Sequence, residues 1–204
     1  MSMKTIVTPL RHSDHEHAIV ALWSSATVRQ LAAIQSQLVQ LFGGDIWLQQ
    51  PPALHGTLME IICDADYGDR SREQLFKEWY ATHNQTVKEV LAGFAPFDIT
   101  FTELLVSPRA IIVKAADPQP FNEIRKALLT KTTLPEGTKQ PPEITHSTLA
   151  RFHKAIDLEE AARRVASINV DITERITGFA LVKDLGPPDF NGTPTQLYPL
   201  RISL

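Results

Sequence analysis

Apolar residues recur with helical spacing early in the chain. In residues 27–42 they return every three or four positions, which predicts an amphipathic helix that ends at Gly43-Gly44. Its apolar positions are Val28, Leu31, Ile34, Leu38 and Leu41. A second long helix is predicted over residues 71–93, because Ser71 and Gln74 form a capping-box pattern at its start and a glycine ends it.

Shorter apolar or alternating runs predict strands. They cover residues 17–23, 54–63, 97–106, 110–115, 144–152, 176–182 and 196–202. Two further helices are predicted over residues 121–129 and 157–167, where Pro120 and an Asp157/Glu160 cap mark the starts. Residues 1–16 are polar and irregular, and we expect a loose leader there.

The order strand, helix, strand, helix occurs twice, which suggests an internal duplication. Ala18 and His55 are 37 positions apart, and Ala110 and His146 are 36 positions apart. Helices combined with strands in hairpin-like links indicate an α+β fold with antiparallel sheets. We expect one domain over residues 1–204, with lobes at 17–93 and 109–168 and sheet-completing strands at 97–106 and 176–203.

Composition excludes several classes of protein. The 204 residues are 43% hydrophobic and 21% charged, which is ordinary for a soluble globular protein. The net charge of −3 argues against nonspecific binding of duplex DNA, which needs a broad basic surface. The single cysteine, Cys63, excludes an intrachain disulfide and a multi-cysteine metal site, and it favours a reducing cytoplasm. Apolar runs are far shorter than the ~20 residues of a membrane span, so we expect no membrane anchor.

One tetrapeptide pattern occurs twice: His-Gly-Thr-Leu at residues 55–58 and His-Ser-Thr-Leu at residues 146–149. Chance alone would give about 0.07 copies of His-x-Thr-Leu in a chain of this composition. Each copy follows a Pro-Pro pair and occupies the corresponding place in its repeat. The pair of motifs is therefore the strongest functional signal in the sequence.

Strand geometry gives the spacing within each motif a chemical meaning. Residues i and i+2 of a strand share a face, so His55 lies beside Thr57, and His146 lies beside Thr148. Two imidazoles that face a phosphodiester can act as general base and general acid near neutral pH. The threonine hydroxyls can donate hydrogen bonds to its nonbridging oxygens. The motifs therefore predict a phosphodiesterase site that needs neither metal nor cofactor.

The motifs HGTL and HSTLARF resemble the paired H-x-T-L signature of the 2H phosphoesterase superfamily, which includes RNA 2′-5′ ligase-like proteins and 2′,3′-cyclic phosphodiesterases. The resemblance extends from His17 to Leu204, because ITGFALVKD and TQLYPLRISL are similar to the last two strands of that family. It implies a bilobal fold with a central cleft between two antiparallel sheets and helices outside. It also implies that His55 and His146 are catalytic and that Thr57 and Thr148 bind the phosphate.

The resemblance implies a substrate and one further site residue. The expected substrate is a 2′,3′-cyclic phosphate or a 2′-5′ linkage, in an RNA end or a small nucleotide, acted on by a monomer. Some family members carry an arginine or a tyrosine near the phosphate five positions after the second histidine, and here that residue is Arg151. Plain strand parity places Arg151 on the face of Leu149, so a bulge or a strand end near Ala150 is required. The first copy has Glu60 at this place.

Other interpretations stay open at this point. The same cleft could bind a phosphorylated ligand or an RNA end without catalysis. His12, His15 and His17 form an H-x-x-H-x-H cluster that could hold a metal, although a solvated leader is the simpler interpretation. Aromatic residues could stack on a base, although aromatic residues in strands more often belong to the core. The candidates for stacking are Trp23, Trp47 and Tyr198. No glycine-rich phosphate loop supports ATP or NAD binding.

Overall fold

Two antiparallel sheets form the centre of the protein, and the helices lie outside them. The computed structural model describes residues 3–7, 16–63, 65–184 and 193–201. The strands in these ranges are β1 (Glu16–Leu22), β2 (Ile46–Leu48), β3 (His55–Ile62), β4 (Phe97–Val106), β5 (Ala110–Ala115), β6 (His146–Phe152), β7 (Ile172–Ile176), β8 (Gly178–Asp184) and β9 (Thr193–Pro199). The helices are α1 (Ser25–Phe42), α2 (Arg72–Leu91), α3 (Gln119–Lys131) and α4 (Leu158–Val165).

The two motifs lie in different sheets. In the described residues one sheet has the strand order β3-β1-β8-β9, and β3 carries the first motif at its edge. The other has the order β2-β6-β5-β4-β7, and β6 carries the second motif. Strands β3 and β6 contact each other. The predicted α+β fold with two antiparallel sheets is confirmed.

Two helices pack against the sheet to which the strand before them does not belong. Helix α1 follows β1 but contacts β2, β6 and β7 of the other sheet, and α3 follows β5 but contacts β3. Both helices are buried along an apolar stripe, because apolar residues recur every three or four positions. The stripes contain Leu31, Ile34 and Leu38 in α1, and Phe121, Ile124 and Leu128 in α3. Through these contacts the two helices connect the two sheets.

The structure contains two strands that the sequence did not predict, β2 and β7. Strand β2 has three residues, which is too short to produce a recognisable period. The predicted strand over residues 176–182 is wrong at its start, because the chain changes sheets at Thr177: β7 pairs with β4, and β8 pairs with β1. Gly178 allows this change, because a β-carbon there would lie 2.8 Å from the Tyr198 carbonyl oxygen.

The N-terminal segment is anchored over its described residues. The Thr5 amide donates to the Ile156 carbonyl at 2.7 Å, and the Thr5 hydroxyl accepts from the Ile156 amide at 2.7 Å. Thr5 is 3% exposed. The expectation of a loose leader is therefore wrong for residues 3–7. His12 and His15 lie outside the described residues.

No helix within the described ranges is long and apolar enough to span a bilayer.

Candidate active site

A single cleft brings both motif strands together. Its lining residues are Glu16, Gln49, Ala53, His55, Thr57, Glu60, Pro142, His146, Thr148 and Arg151. The five residues that the sequence singles out for the site, two histidines, two threonines and one arginine, are all among them. The two histidines come from strands of different sheets, so the cleft exists only because the sheets pack with β3 beside β6.

A β-bulge interrupts the first motif strand directly after Thr57. The register with β1 shifts between Thr57 and Met59, which leaves Leu58 without a partner in the ladder. Leu58 and Met59 are both buried, so the alternation of inward and outward side chains changes phase there. As a result Glu60 points to the same side as His55 and lines the cleft.

The second motif strand has the same bulge at the corresponding place. The register with β5 shifts between Thr148 and Ala150, so Leu149 is the extra residue. Leu149 and Ala150 are both buried, and Arg151 returns to the side of His146. Strand parity alone argues against Arg151 as a site residue, and the bulge removes that objection.

A helix side chain holds each bulge from behind. Gln35 of α1 donates from Nε2 to the Leu149 carbonyl at 2.9 Å. Arg125 of α3 donates from Nε to the Leu58 carbonyl at 2.9 Å and from Nη2 to the Thr57 carbonyl at 2.8 Å. The Leu149 carbonyl also accepts from the Gln49 amide at 2.9 Å. At each bulge a helix side chain therefore donates to a main-chain carbonyl of the motif strand and ties that strand to the helix.

The second residue of each motif, Gly56 or Ser147, faces the core and contacts Trp23. The indole nitrogen of Trp23 donates to the Ser147 hydroxyl at 3.1 Å. Its ring lies directly against the α-carbon of Gly56. Trp23 is 7% exposed, so it is a core residue that joins the two motif strands and is not available to stack on a base.

The other two aromatic candidates differ from each other. Tyr198 is 2% exposed and donates to Asn84 Oδ1 at 2.8 Å, which makes it a core residue as well. Trp47 is half-buried in β2 and pairs directly with Arg151 of β6. Directly paired residues of neighbouring strands share a face, so Trp47 lies on the cleft side of the sheet.

Burial keeps both motif histidines neutral in the free protein. It lowers the pKa of His55 to about 4, although a hydrogen bond to the Ala53 carbonyl favours the protonated form. Burial also lowers the pKa of His146, and the positive charge of Arg125 lowers it further. Two neutral imidazoles at neutral pH can each accept a proton, and a bound anion would raise both pKa values.

Glu60 and Arg151 make the cleft electrically asymmetric. Burial raises the pKa of the Glu60 carboxyl, while the charges of Lys139 and Arg151 oppose that shift. Arg151 also lowers the pKa of both histidines, which means that its guanidinium is close enough to act on every titratable group of the two motifs. An anion in the cleft therefore meets one fixed cation on the second motif strand and one carboxyl group on the first.

The alternative of a metal site at the N-terminal histidines receives no support from the described part of the chain. His17 is 4% exposed and stacks on Phe76 with 3.6 Å between the ring centroids. Its two companions lie in the range that is not described. No group of three or more His, Cys, Asp or Glu side chains within the described residues is arranged to hold a metal ion.

Comparison with known families gives a match over more than half of the chain. The model of the 2′-5′ RNA ligase superfamily matches residues 73–188. The chain belongs to the 2′-5′ RNA ligase superfamily. The matched range contains the second motif and Arg151, whereas the first motif lies before it. The resemblance to the 2H phosphoesterases is confirmed, and no curated protein matches the chain.

Solved structures share the fold at low sequence identity. The structure of TT0787 from Thermus thermophilus is 20% identical, with a TM-score of 0.64 over 93% of this chain and 100% of that one. E. coli LigT complexed with NADP+ is 16% identical, with a TM-score of 0.59 and the same coverage. E. coli LigT complexed with 3′-AMP is 15% identical, with a TM-score of 0.58. Over almost its full length, this superfamily member therefore has the same fold as TT0787 and LigT.

Three residues that line the cleft or lie behind it were not singled out from the sequence: Glu16, Gln49 and Arg125. Glu16 and Gln49 line the cleft, but each is an ordinary polar residue at a strand end with no motif around it. Arg125 lies behind the cleft, and here a signal existed. It occupies a position on the apolar stripe of its helix, between Ile124 and Leu128, where a charged residue requires an explanation.

Proposed function

We propose that this protein is a metal-independent phosphodiesterase that hydrolyses a 2′,3′-cyclic phosphate or a 2′-5′ phosphodiester of an RNA end or a small nucleotide. The observation that carries the proposal is the paired arrangement in the cleft. Equivalent, equally bulged strands of two sheets each contribute one imidazole and one hydroxyl to the same cavity. Membership of the 2′-5′ RNA ligase superfamily supports the same chemistry.

The two histidines divide the proton transfers. His55 is unprotonated at neutral pH and a bound anion raises its pKa towards the range of an effective base, so we assign it to the activation of water. Binding of the phosphate anion raises the pKa of His146, which can then protonate the departing ribose oxygen. Thr57 and Thr148 donate to the nonbridging oxygens, and Arg151 stabilises the negative charge that develops there.

The charges of the cleft favour a singly charged phosphodiester. Its lining contains one arginine and two carboxyl groups, those of Glu16 and Glu60. Such a lining attracts an extended polyanion less than a basic groove would. A structure of E. coli LigT complexed with 3′-AMP has the same fold, which supports a nucleotide as the ligand. Trp47 beside Arg151 offers a ring for the base.

A second candidate is a binding module for a phosphorylated ligand. It is favoured by one observation: burial lowers the pKa of both histidines, so neither is protonated at neutral pH before a ligand arrives. In this case the imidazoles would act only as hydrogen-bond partners of the phosphate. The two functions differ in outcome, since a binding module gives saturable binding and no product.

An assay in EDTA tests the proposal. Nucleoside 2′,3′-cyclic phosphates, an RNA that ends in a cyclic phosphate and a 2′-5′ dinucleotide are offered to the wild type, to His55→Ala and to His146→Ala. His153→Ala is the matched control, because His153 lies just beyond the second motif and is exposed. We expect turnover by the wild type and by the control, and loss of at least about 100-fold in either motif variant. Activity that survives either motif substitution, or that EDTA abolishes, contradicts the mechanism.

A further inference from the structure

Arg125 is a charged residue on the buried face of α3. It is 4% exposed, and its guanidinium lies between the strand of the first motif and the segment that leads into the second. Its four hydrogen bonds go from Nε to the Leu58 carbonyl (2.9 Å), from Nη2 to the Thr57 carbonyl (2.8 Å), and from Nη1 to Asn122 Oδ1 (2.8 Å) and the Ile144 carbonyl (3.3 Å). A single side chain therefore links the two segments that position the catalytic pair.

The guanidinium has no anionic partner among the described residues. All four of its acceptors are neutral, and no carboxylate there forms an ion pair with it. Burial lowers the pKa of Arg125 to about 10, so the side chain still carries its full charge at neutral pH. Buried charges in proteins are nearly always paired, because desolvation is costly. The charge at this position therefore calls for a reason beyond packing.

Hydrogen bonding to the bulge does not supply that reason. The corresponding place on α1 is occupied by Gln35, which follows Ile34 as Arg125 follows Ile124 on the apolar stripe. Gln35 donates to the Leu149 carbonyl of the second bulge as Arg125 donates to the Leu58 carbonyl of the first. A neutral amide is thus sufficient to donate to a bulge carbonyl, so this contact alone does not account for the positive charge of the arginine.

We propose that Arg125 is an electrostatic positioning residue of the phosphate site, whose buried charge draws the anionic group of the substrate into the cleft while its hydrogen bonds hold the two motif strands together. The proposal rests on the proposed function in so far as that function places an anion between the histidines. Arg125 does not touch the anion: it acts through the backbone of Thr57 and through the field that it exerts in a region of low dielectric constant. That this field reaches the site is indicated by its effect on His146.

The test uses inorganic phosphate as the probe and the substitution Arg125→Gln, which copies the neutral donor at the symmetric place. Phosphate affinity is measured by calorimetry, and the pKa of His146 is measured by NMR titration of the imidazole. We expect phosphate to bind about tenfold more weakly to Arg125→Gln than to the wild type. We also expect the pKa of His146 to rise, since removal of a nearby positive charge favours the protonated ring. A role confined to packing would not move that pKa.

Two further variants complete the experiment. Arg125→Lys keeps the charge but loses the planar fork, so we expect it to retain both the phosphate affinity and the low pKa of His146 even if it unfolds more easily. Arg164→Gln is the matched control. Like Arg125, Arg164 lies with its guanidinium 5.4 Å from a phenylalanine ring and donates to a backbone carbonyl, that of Leu41. Unlike Arg125, it pairs with Glu160 on its own helix and donates to no carbonyl of a motif strand. It should leave both quantities unchanged.

The possible outcomes separate this inference from the proposed function. The inference is overturned if Arg125→Gln binds phosphate with wild-type affinity and the pKa of His146 is unchanged. If Arg125→Gln does not fold, a folded Arg125→Lys that loses phosphate affinity overturns it as well, because the charge would then be insufficient. Weakened phosphate binding without any turnover of cyclic phosphates by the wild type keeps the inference and removes the proposed function. A wild type that binds no phosphate removes both.

Discussion

The ring of Trp23 lies against the α-carbon of Gly56, the residue between the histidine and the threonine of the first motif. A β-carbon at Gly56 would stand 2.7 Å from Cζ2 of this ring, which no real contact allows. The same indole donates to Ser147, the middle residue of the second motif. One core side chain therefore contacts the second residue of both motifs, Gly56 in one sheet and Ser147 in the other.

Replacement of Gly56 by alanine should destabilise the protein and disturb the cleft. The added methyl group must push Trp23 away, and overpacking of a core in this way costs about 1–3 kcal/mol. Unfolding in urea measures the loss, and the hydrogen bond from Trp23 to Ser147 makes a shift of the second motif part of the effect. Gly44→Ala is the control, because nothing lies within 4 Å of a β-carbon there. Equal stability of the two variants would show that the ring has room to move.

The stability of the protein should decrease in mildly acidic solution because of His55. Its pKa is about 4 in the folded state, below the ordinary value of 6.5, so the unfolded chain binds the proton more readily between these two values. Stability is then highest above pH 6.5, falls as the pH drops towards 4, and changes no further on this account below 4. By pH 4.5 the loss from this residue amounts to about 2–3 kcal/mol.

His55→Gln isolates this contribution. It removes the titrating group and keeps a polar side chain, so its free energy of unfolding should change less between pH 7 and pH 4.5 than that of the wild type. Unfolding in urea at both pH values gives the comparison. His146 titrates in the same direction and remains in the variant, so the pH dependence should be reduced but not abolished. An identical pH dependence in wild type and variant contradicts the low pKa of His55.

The shared face of each motif histidine and its threonine could be predicted because it is a local feature. His55 and Thr57 are two positions apart in a predicted strand, and that spacing alone places them on one face. The side of Arg151 could not be predicted in the same way, since it depends on a bulge. A hint was present: each motif threonine is followed by two apolar residues, Leu58-Met59 and Leu149-Ala150, where strict alternation requires one.

Long-range features were beyond the sequence pattern. The apolar stripe of α1 predicts a buried face but does not say which sheet covers it, and the helix packs on the sheet of the second motif. The same holds for β2, whose three residues become a strand only because β6 offers an edge to pair with. The guanidinium of Arg125 could be noticed on its apolar stripe, but its two acceptors on the first motif strand are 67 and 68 positions away in the chain.

Glu60 should weaken the binding of anions, because it occupies the place on β3 that Arg151 occupies on β6. At pH 8 its carboxylate repels a phosphate, so Glu60→Gln should bind inorganic phosphate several-fold more tightly than the wild type. Burial raises the pKa of this carboxyl group, so the advantage should shrink as the pH falls and the wild-type carboxyl becomes protonated.

Calorimetric titration with sulfate, which remains a dianion at pH 8 and at pH 5 whereas phosphate changes its charge between them, measures the ratio of the two affinities. The ratio is the relevant quantity, because protonation of the histidines affects both proteins alike. Glu89→Gln serves as the control, since Glu89 is an exposed carboxylate on α2. A ratio near one at both pH values would mean that Glu60 does not act on the anion, and a ratio that increases towards pH 5 would reverse the sign of the argument.

Trp47 should contribute to the binding of a nucleotide without contributing to the binding of phosphate. It pairs with Arg151 across the β2–β6 ladder and lies on the same face, so a base attached to a phosphate at Arg151 can reach its ring. Stacking of a base on an aromatic side chain contributes about 1–3 kcal/mol. Trp47→Ala should therefore lose about that much affinity for 3′-AMP while inorganic phosphate binds as before. Trp47→Phe keeps an aromatic face and should recover most of the loss. If Trp47→Ala weakens both ligands equally, the tryptophan supports Arg151 and makes no contact with the base.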